Sequence, residues 1–244
     1  MHRAGGDNEH PLADLYPGGE SRVVVGDDYR PTRPVAKWAI GFLVVALVLD
    51  VVAFASDISE RSLLGQGVIT VSEADANDDR QSAIALAQLV ALIATAIFFI
   101  RWIHRAYKNL LELGTPDLRF KPGWAIGGWF VPILNLWRPK QIVNDTWRAT
   151  DPGLDPDAAG TWRLRDVPGW VALWWGAFLL SGLAWRASGQ ITSHAESRGD
   201  LRTANLFSLI GDVSSTVAAI TAVLLVQSLT ARQEQRAARI SNEA

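Results

Sequence analysis

Four stretches of this chain are almost free of charged residues while charges crowd the segments between them, and no other feature constrains the fold as strongly. The stretches run over about residues 38–55, 82–103, 170–185 and 206–229. An apolar helix rising about 1.5 Å per residue needs roughly 20 residues to cross a hydrocarbon layer about 30 Å thick. The first stretch comes close to that length, and the fourth is long enough to cross with some tilt. The third is short but carries Trp at both ends. The mean hydropathy of +0.11 conceals this segregation. Of the 11 Trp, ten lie between Trp102 and Trp185, clustered at the ends of apolar segments. Indole rings favour the membrane–water interface, so their placement agrees with a bilayer setting. The expected fold is all-α, an integral membrane helical bundle with about four transmembrane helices.

A fifth apolar piece, residues 124–137, is too short for an ordinary span and is interrupted by Pro132. That length favours a re-entrant or interfacial segment. Charge tests the choice. If the piece does not cross and the N-terminus is inside, Lys and Arg divide 18 inside to 5 outside; if it crosses, they divide 13 to 10. The positive-inside rule prefers the first arrangement. The expectation is therefore four spans in the cell membrane, with both termini cytoplasmic. Residues 1–36, polar and rich in Pro, Gly and Asp, read as a disordered tail without the apolar run of a signal peptide. Residues 37–230 form the transmembrane domain, with 124–148 as its broken element, and 231–244 a C-terminal tail. The segments 56–80 and 186–205 read as external loops, the first of them acidic. Ser72-Glu73-Ala74-Asp75 resembles a capping box for the second helix. Gly114, with Pro116 beyond it, is that helix's natural stop.

Several chemistries are improbable. A net charge of -2 argues against a nucleic-acid binder. The absence of Cys removes disulfides, thiolate metal sites and thiol nucleophiles. His2, His10, His104 and His194 lack metal-ligand spacing, and no hydrolase, zinc-peptidase or phosphate-loop motif is present. No cofactor, metal or catalytic residue is expected. An enzyme is the less favoured class.

Two groups of residues carry the functional expectations. The first lies in the dense segment 102–148, where Trp102, Arg105 and Asn109 share a helix face. Pro139 fits the first turn of a short helix whose Ile142, Val143, Thr146 and Trp147 would face the membrane. Asp145 and Arg148 read as a surface ion pair. A break in a helix at membrane depth is tolerated where protein or water covers it. Arg105, Asn109, Trp124, Trp129, Asn135, Arg138, Trp147 and Arg148 are the candidate ligand-binding residues there, for an anionic headgroup or solute. The bland reading is packing, with Gly123 and Gly127 admitting a neighbouring helix. The second group is an intramembrane polar layer of Asp50, Gln88 and Asp212, each about 7–9 Å below the outer surface, with Ser181, Ser214 and Ser215 near it. Intramembrane carboxylates are functional candidates by default; interhelical hydrogen bonding is the alternative. The small residues Ala83, Ala87, Ala91 and Thr95 form a face suited to close helix packing.

Pro122-Gly123-Trp124, Gly128-Trp129-Phe130-Val131-Pro132, Asn135-Leu136, Pro139 and Trp147-Arg148, together with the Trp-rich run 167–188, resemble the bacterial membrane family of the domain of unknown function 4328. The resemblance covers roughly residues 35–230. It implies a multi-pass membrane protein with a variable N-terminal tail and carries no catalytic residue over. The prevalence of Arg among the basic residues also fits a GC-rich bacterial genome.

Three function classes stay open. The favoured one is a non-enzymatic membrane scaffold or interaction protein, with the bilayer, a second copy of itself or another membrane protein as partner. The second is a carrier or binder of a small solute, ion or anionic lipid. The third is a membrane enzyme acting on a lipid-linked substrate.

Overall fold

Two helical hairpins form the body of the molecule in the computed structural model, which describes residues 24–154 and 161–243. The first hairpin is α1 (Arg33–Leu64) and α2 (Val71–Glu112); the second is α5 (Gly169–Ser193) and α6 (Arg198–Glu243). Between them lie a single turn, α3 (Trp124–Gly127), and the short helix α4 (Arg138–Ala149). The fold is all-helical among the described residues. Three of the helices, α1, α2 and α6, are long and apolar enough to cross a membrane. The fourth, α5, rises about 37 Å over its length but is rich in Trp and Gly. The indole N–H keeps Trp low on hydropathy scales although most of the ring is apolar.

The helices outrun the apolar stretches. The segment 56–80, expected as an external loop, is almost wholly helical, and the true connection is residues 65–70. The capping box sits two residues earlier than expected. Thr70 Oγ1 accepts from the Glu73 amide at 3.2 Å, and the Thr70 amide donates to Glu73 Oε2 at 2.8 Å. Gly114 does end α2. At φ 70° it takes the left-handed conformation. The Thr115 amide then reaches Leu110 O (2.9 Å) and the Gly114 amide Leu111 O (3.1 Å), the paired bonds of a Schellman motif.

Both hairpin turns lie at one end, tied by arginines. Arg198 donates to Gln66 O (2.8 Å), and Arg202 donates to Leu64 O (2.9 Å). The opposite end, the cap end, holds α3, α4 and the chain entering α1. There the core is densest: Trp102, Tyr107 and Leu110 of α2, Val143 of α4, and Leu225 and Leu229 of α6 are buried. Residues 24–32, expected as part of a loose tail, rest on α2. The Gly26 amide bonds Glu112 O, and Asn109 bonds both backbone groups of Arg30. The expectation for residues 1–23 lies outside the described residues.

In cross-section α1 packs on α2 and α6, and α6 packs on α5. α2 and α5 lie at the two ends of this row. They meet near the cap end, where the Phe99 and Trp174 rings stand 5.7 Å apart. Toward the turn end they part, and a cavity of about 1150 Å³ opens between them over α1 and α6. Leu86, Val90, Ile93 and Ile97 leave α2 with an exposed apolar stripe.

Candidate functional site

The cavity wall is graded. Near the turn end it is polar and acidic, and near the cap end it is aromatic. The acidic part arises because α1 continues past Ala55 as a helix. Asp50, Asp57 and Glu60, spaced seven and three apart, then share one face. Glu60 is fully engaged: its Oε1 accepts from Asn77 (3.4 Å), and its Oε2 accepts from Gln81 (3.1 Å) and Asn205 (2.9 Å). Asp57 Oδ1 accepts from Gln81 at 3.0 Å.

Deeper in, the engagement thins. Asp50 accepts from Gln88 (3.2 Å) and Ser215 (2.7 Å). Asp212 lies beside this pair, approached by the Gln88 amide and the Trp185 indole. It is only 2% exposed, and its Oδ2 has no hydrogen-bond partner. Asn205 Oδ1 and Thr95 Oγ1, on the same wall, are also unpartnered. The Trp185 ring lies on Gly211, where an added Cβ would stand 2.4 Å from Trp185 Cδ1. Glycine is therefore required for the indole to reach Asp212. The structure thus brings Asp50, Gln88 and Asp212 to one cavity wall. Ser181 joins that wall, though its hydroxyl donates to Phe178 O.

Below the carboxylates the floor is aromatic. Trp129, from the irregular segment after α3, enters between α2 and α5. Its ring stands 5.9 Å from Phe99, 5.9 Å from Trp175 and 6.1 Å from Phe178. The chain reverses sharply to place it. Ile133, at φ 69° and ψ -53°, sits at the centre of a γ-turn closed by Leu134 N and Pro132 O, a strained geometry for a β-branched residue. Trp175 Nε1 secures the segment by donating to Leu136 O at 2.9 Å.

The cap end gathers most of the other candidate residues, but on separate structural partners. Arg105 donates to Pro31 O. Asn109 holds Arg30 and Gln233. Arg138 lies over the Phe120 ring at 3.9 Å and the Trp124 ring at 5.3 Å. Arg148 donates to Arg165 O. Trp147 packs edge-on against Trp170 under the Arg232 guanidinium. Asn135 is exposed. The arginines therefore do not converge on a common cradle. The expected membrane-facing stripe of α4 is corrected as well: Ile142, Val143, Thr146 and Trp147 are buried in protein. The expected surface pair of Asp145 and Arg148 does not form. Asp145 is fully buried and faces Arg119 at 3.5 Å. Burial pushes its carboxyl up from the ordinary value, with Arg119, Arg148 and Arg163 pulling it back.

Sequence reading missed two sets of residues. Asp57, Glu60 and Asn205 lie in segments expected as loops, although the seven-residue spacing from Asp50 to Asp57 signals a continuous helix face. Gln233 and Arg236 of α6 lie in the expected C-terminal tail. Arg236, 4% exposed, donates to Leu113 O (2.9 Å) and to Ala149 O. It thereby meets the negative ends of α2 and α4 together.

Among family models, one described as Domain of unknown function (DUF4328) matches residues 65–231, from the first hairpin turn to late α6. The match starts after α1, later than the expected resemblance. No curated protein and no solved structure matches the chain.

Proposed function

Because the chain belongs to the family of Domain of unknown function DUF4328, which supplies no activity, we propose a function from the cavity itself: this is a multi-pass protein of the cell membrane that binds, and carries or holds, a small cation or cationic solute. The observation that carries the reading is Asp212. A buried carboxylate oxygen without a hydrogen-bond partner is costly in any low-dielectric setting unless a donor or a positive charge completes it. Asp50 and Gln88 stand beside it, and the wall opens to about 1150 Å³ of space. Four spans, α1, α2, α5 and α6, cross the bilayer in this reading. The turn end faces outward, and both termini lie with α4 in the cytoplasm. Lys and Arg counts favour that orientation.

Binding of tetramethylammonium to the protein in lipid nanodiscs tests the site. Saturable binding that Asp50→Asn/Asp212→Asn abolishes is expected; binding unchanged in that variant would remove the proposal. Uptake of the same cation into proteoliposomes separates a carrier from a binder. Because the chain has no Cys, single cysteines at Ser197 and Ser241 report topology cleanly. They should label from opposite faces.

A second reading, a scaffold or self-associating protein, is favoured by α2. Its exposed stripe of Leu86, Val90, Ile93 and Ile97 suits either acyl chains or a neighbouring helix. Single-molecule photobleaching in vesicles distinguishes a monomer from an assembly.

A further inference from the structure

The shape of the cavity says more about its occupant than the charge alone. We infer that the ligand is an amphiphilic organic cation, with a positive headgroup at Asp50 and Asp212 and an apolar chain on the Phe99, Trp129, Trp174 and Phe178 floor, and that it enters sideways from the bilayer between α2 and α5. This rests on the cation-binding reading above and specifies its ligand class.

Three independent features converge. The first is charge. Among the described residues that line it, the cavity wall carries Asp50, Asp57, Glu60, Asp78 and Asp212 against one cation, Arg198. Arg198 is turned to the carbonyls of Gln66 and Gly67. Glu60 and Asp57 Oδ1 are met by amide donors, whereas Asp212 Oδ2 is a buried carboxylate oxygen of the wall without a partner. A headgroup there is complementary in sign.

The second feature is the floor. From Asp50 the wall continues along α1 to Leu43, a rise of about 10 Å at 1.5 Å per residue. Over that depth, Thr95 apart, it is made of apolar and aromatic side chains. Phe99 and Trp174 meet at 5.7 Å and close its lower end. A hydrated inorganic ion has no use for such a floor. An alkyl chain gains about fourfold in affinity for each methylene it buries, and ring faces attract a cation passing over them.

The third feature is the opening. α2 and α5 touch at the cap end but do not pack toward the turn end, so the cavity faces outward between them. Ala85 and Ala96 are small, exposed residues of α2 on its rim. That rim faces acyl chains in the topology proposed above. An amphiphile already dissolved in the bilayer therefore reaches the carboxylates without crossing water.

The test is a titration series on the full chain in nanodiscs, read by tryptophan emission, since Trp129, Trp174 and Trp185 line the cavity. The probes are tetramethylammonium, octyltrimethylammonium and neutral octanol. Octyltrimethylammonium should bind at least about tenfold more tightly than tetramethylammonium, as burial of a few methylenes requires, and octanol should not saturate the signal. Asp50→Asn/Asp212→Asn should cost the octyl cation at least tenfold. Phe99→Ala should weaken the octyl cation while sparing tetramethylammonium. Ala96→Phe keeps every carboxylate and narrows the rim, so it should slow binding of the octyl cation alone; it serves if the double Asn variant fails to fold. Tetramethylammonium binding as tightly as the octyl cation overturns this inference and leaves the cation site standing. Octanol binding as tightly as the octyl cation overturns the assigned headgroup role. Failure of both cations to bind overturns the reading beneath it as well.

Discussion

The two ends of this bundle carry similar numbers of buried polar groups and use them in opposite ways. At the cap end several groups close on the protein, and the buried Asp145, whose oxygens make no hydrogen bond, is faced by Arg119 at 3.5 Å. Arg236 reaches the final carbonyls of α2 and α4, Asn109 clasps Arg30 and Gln233, and Trp102 donates to Thr230 at 3.0 Å. In the cavity, the polarity thins with depth until Asp212, on the wall, keeps a buried Oδ2 without a hydrogen-bond partner. The lesson concerns what a buried charge signifies. An ion fully matched by protein is part of the architecture. One left incomplete beside a cavity is where a ligand belongs.

The comparison can be broken by mutation. The largest effect should come from Arg236→Ala, which leaves the carbonyls of Leu113 and Ala149 without their donor and should cost about 3 kcal/mol. A melting curve in detergent checks this, and an unchanged Tm would mean that the cap end does not depend on that guanidinium. Gly211→Ala comes next. Its Cβ would collide with a rigid indole, and overpacking of this kind costs about 1–3 kcal/mol. Cation binding should fall with it as Trp185 is displaced from Asp212. Asp212→Asn should not lower stability, because it removes a charge whose Oδ2 makes no hydrogen bond. A loss as large as that of Arg236→Ala would make Asp212 structural and erase the contrast.

The smallest effect is a pH dependence from Asp145. Burial raises its folded-state pKa above the usual 3.8, so the folded protein holds this proton more tightly than the unfolded chain. Its contribution to stability should therefore be greatest in acid and decline as pH rises from about the usual carboxylate value through the folded one. Asp145→Asn should flatten that part of a Tm–pH profile, and Arg119→Gln, which removes the nearest cation, should steepen it.

Much of the helical frame was legible because hydrocarbon imposes length and charge rules that sequence reports directly. Gly114 as a helix stop followed from the same local reasoning, whereas of the expected small-residue face only Ala91 is buried and Ala83 is exposed. What stayed hidden depended on helices running beyond their apolar parts. Hydropathy falls at Ala55 and rises near Ser82, yet the helical backbone extends far into the polar stretch between them, and this carries Asp57 and Glu60 to the wall beside Asp50. The α4 stripe misled for a related reason. An amphipathic pattern gives the buried face but not its partner, and here α2, α5 and residues 161–164 pack on α4. The importance of Arg236 was illegible, since a lone Arg in a polar C-terminal segment carries no local signal of the two carbonyls it meets.

The central claim is that the polar wall around Asp50 and Asp212 is accessible space lined with negative charge while the cap end is closed. A chain without Cys allows this to be measured with single introduced thiols. Ser208→Cys, on the cavity wall, should react faster with a cationic methanethiosulfonate than with an anionic one. That preference should vanish in the Asp50→Asn/Asp212→Asn background, while Thr230→Cys, behind Trp102, should stay unreactive. Equal rates for the two reagents at position 208, or reaction at position 230 as fast as at 208, would contradict the account.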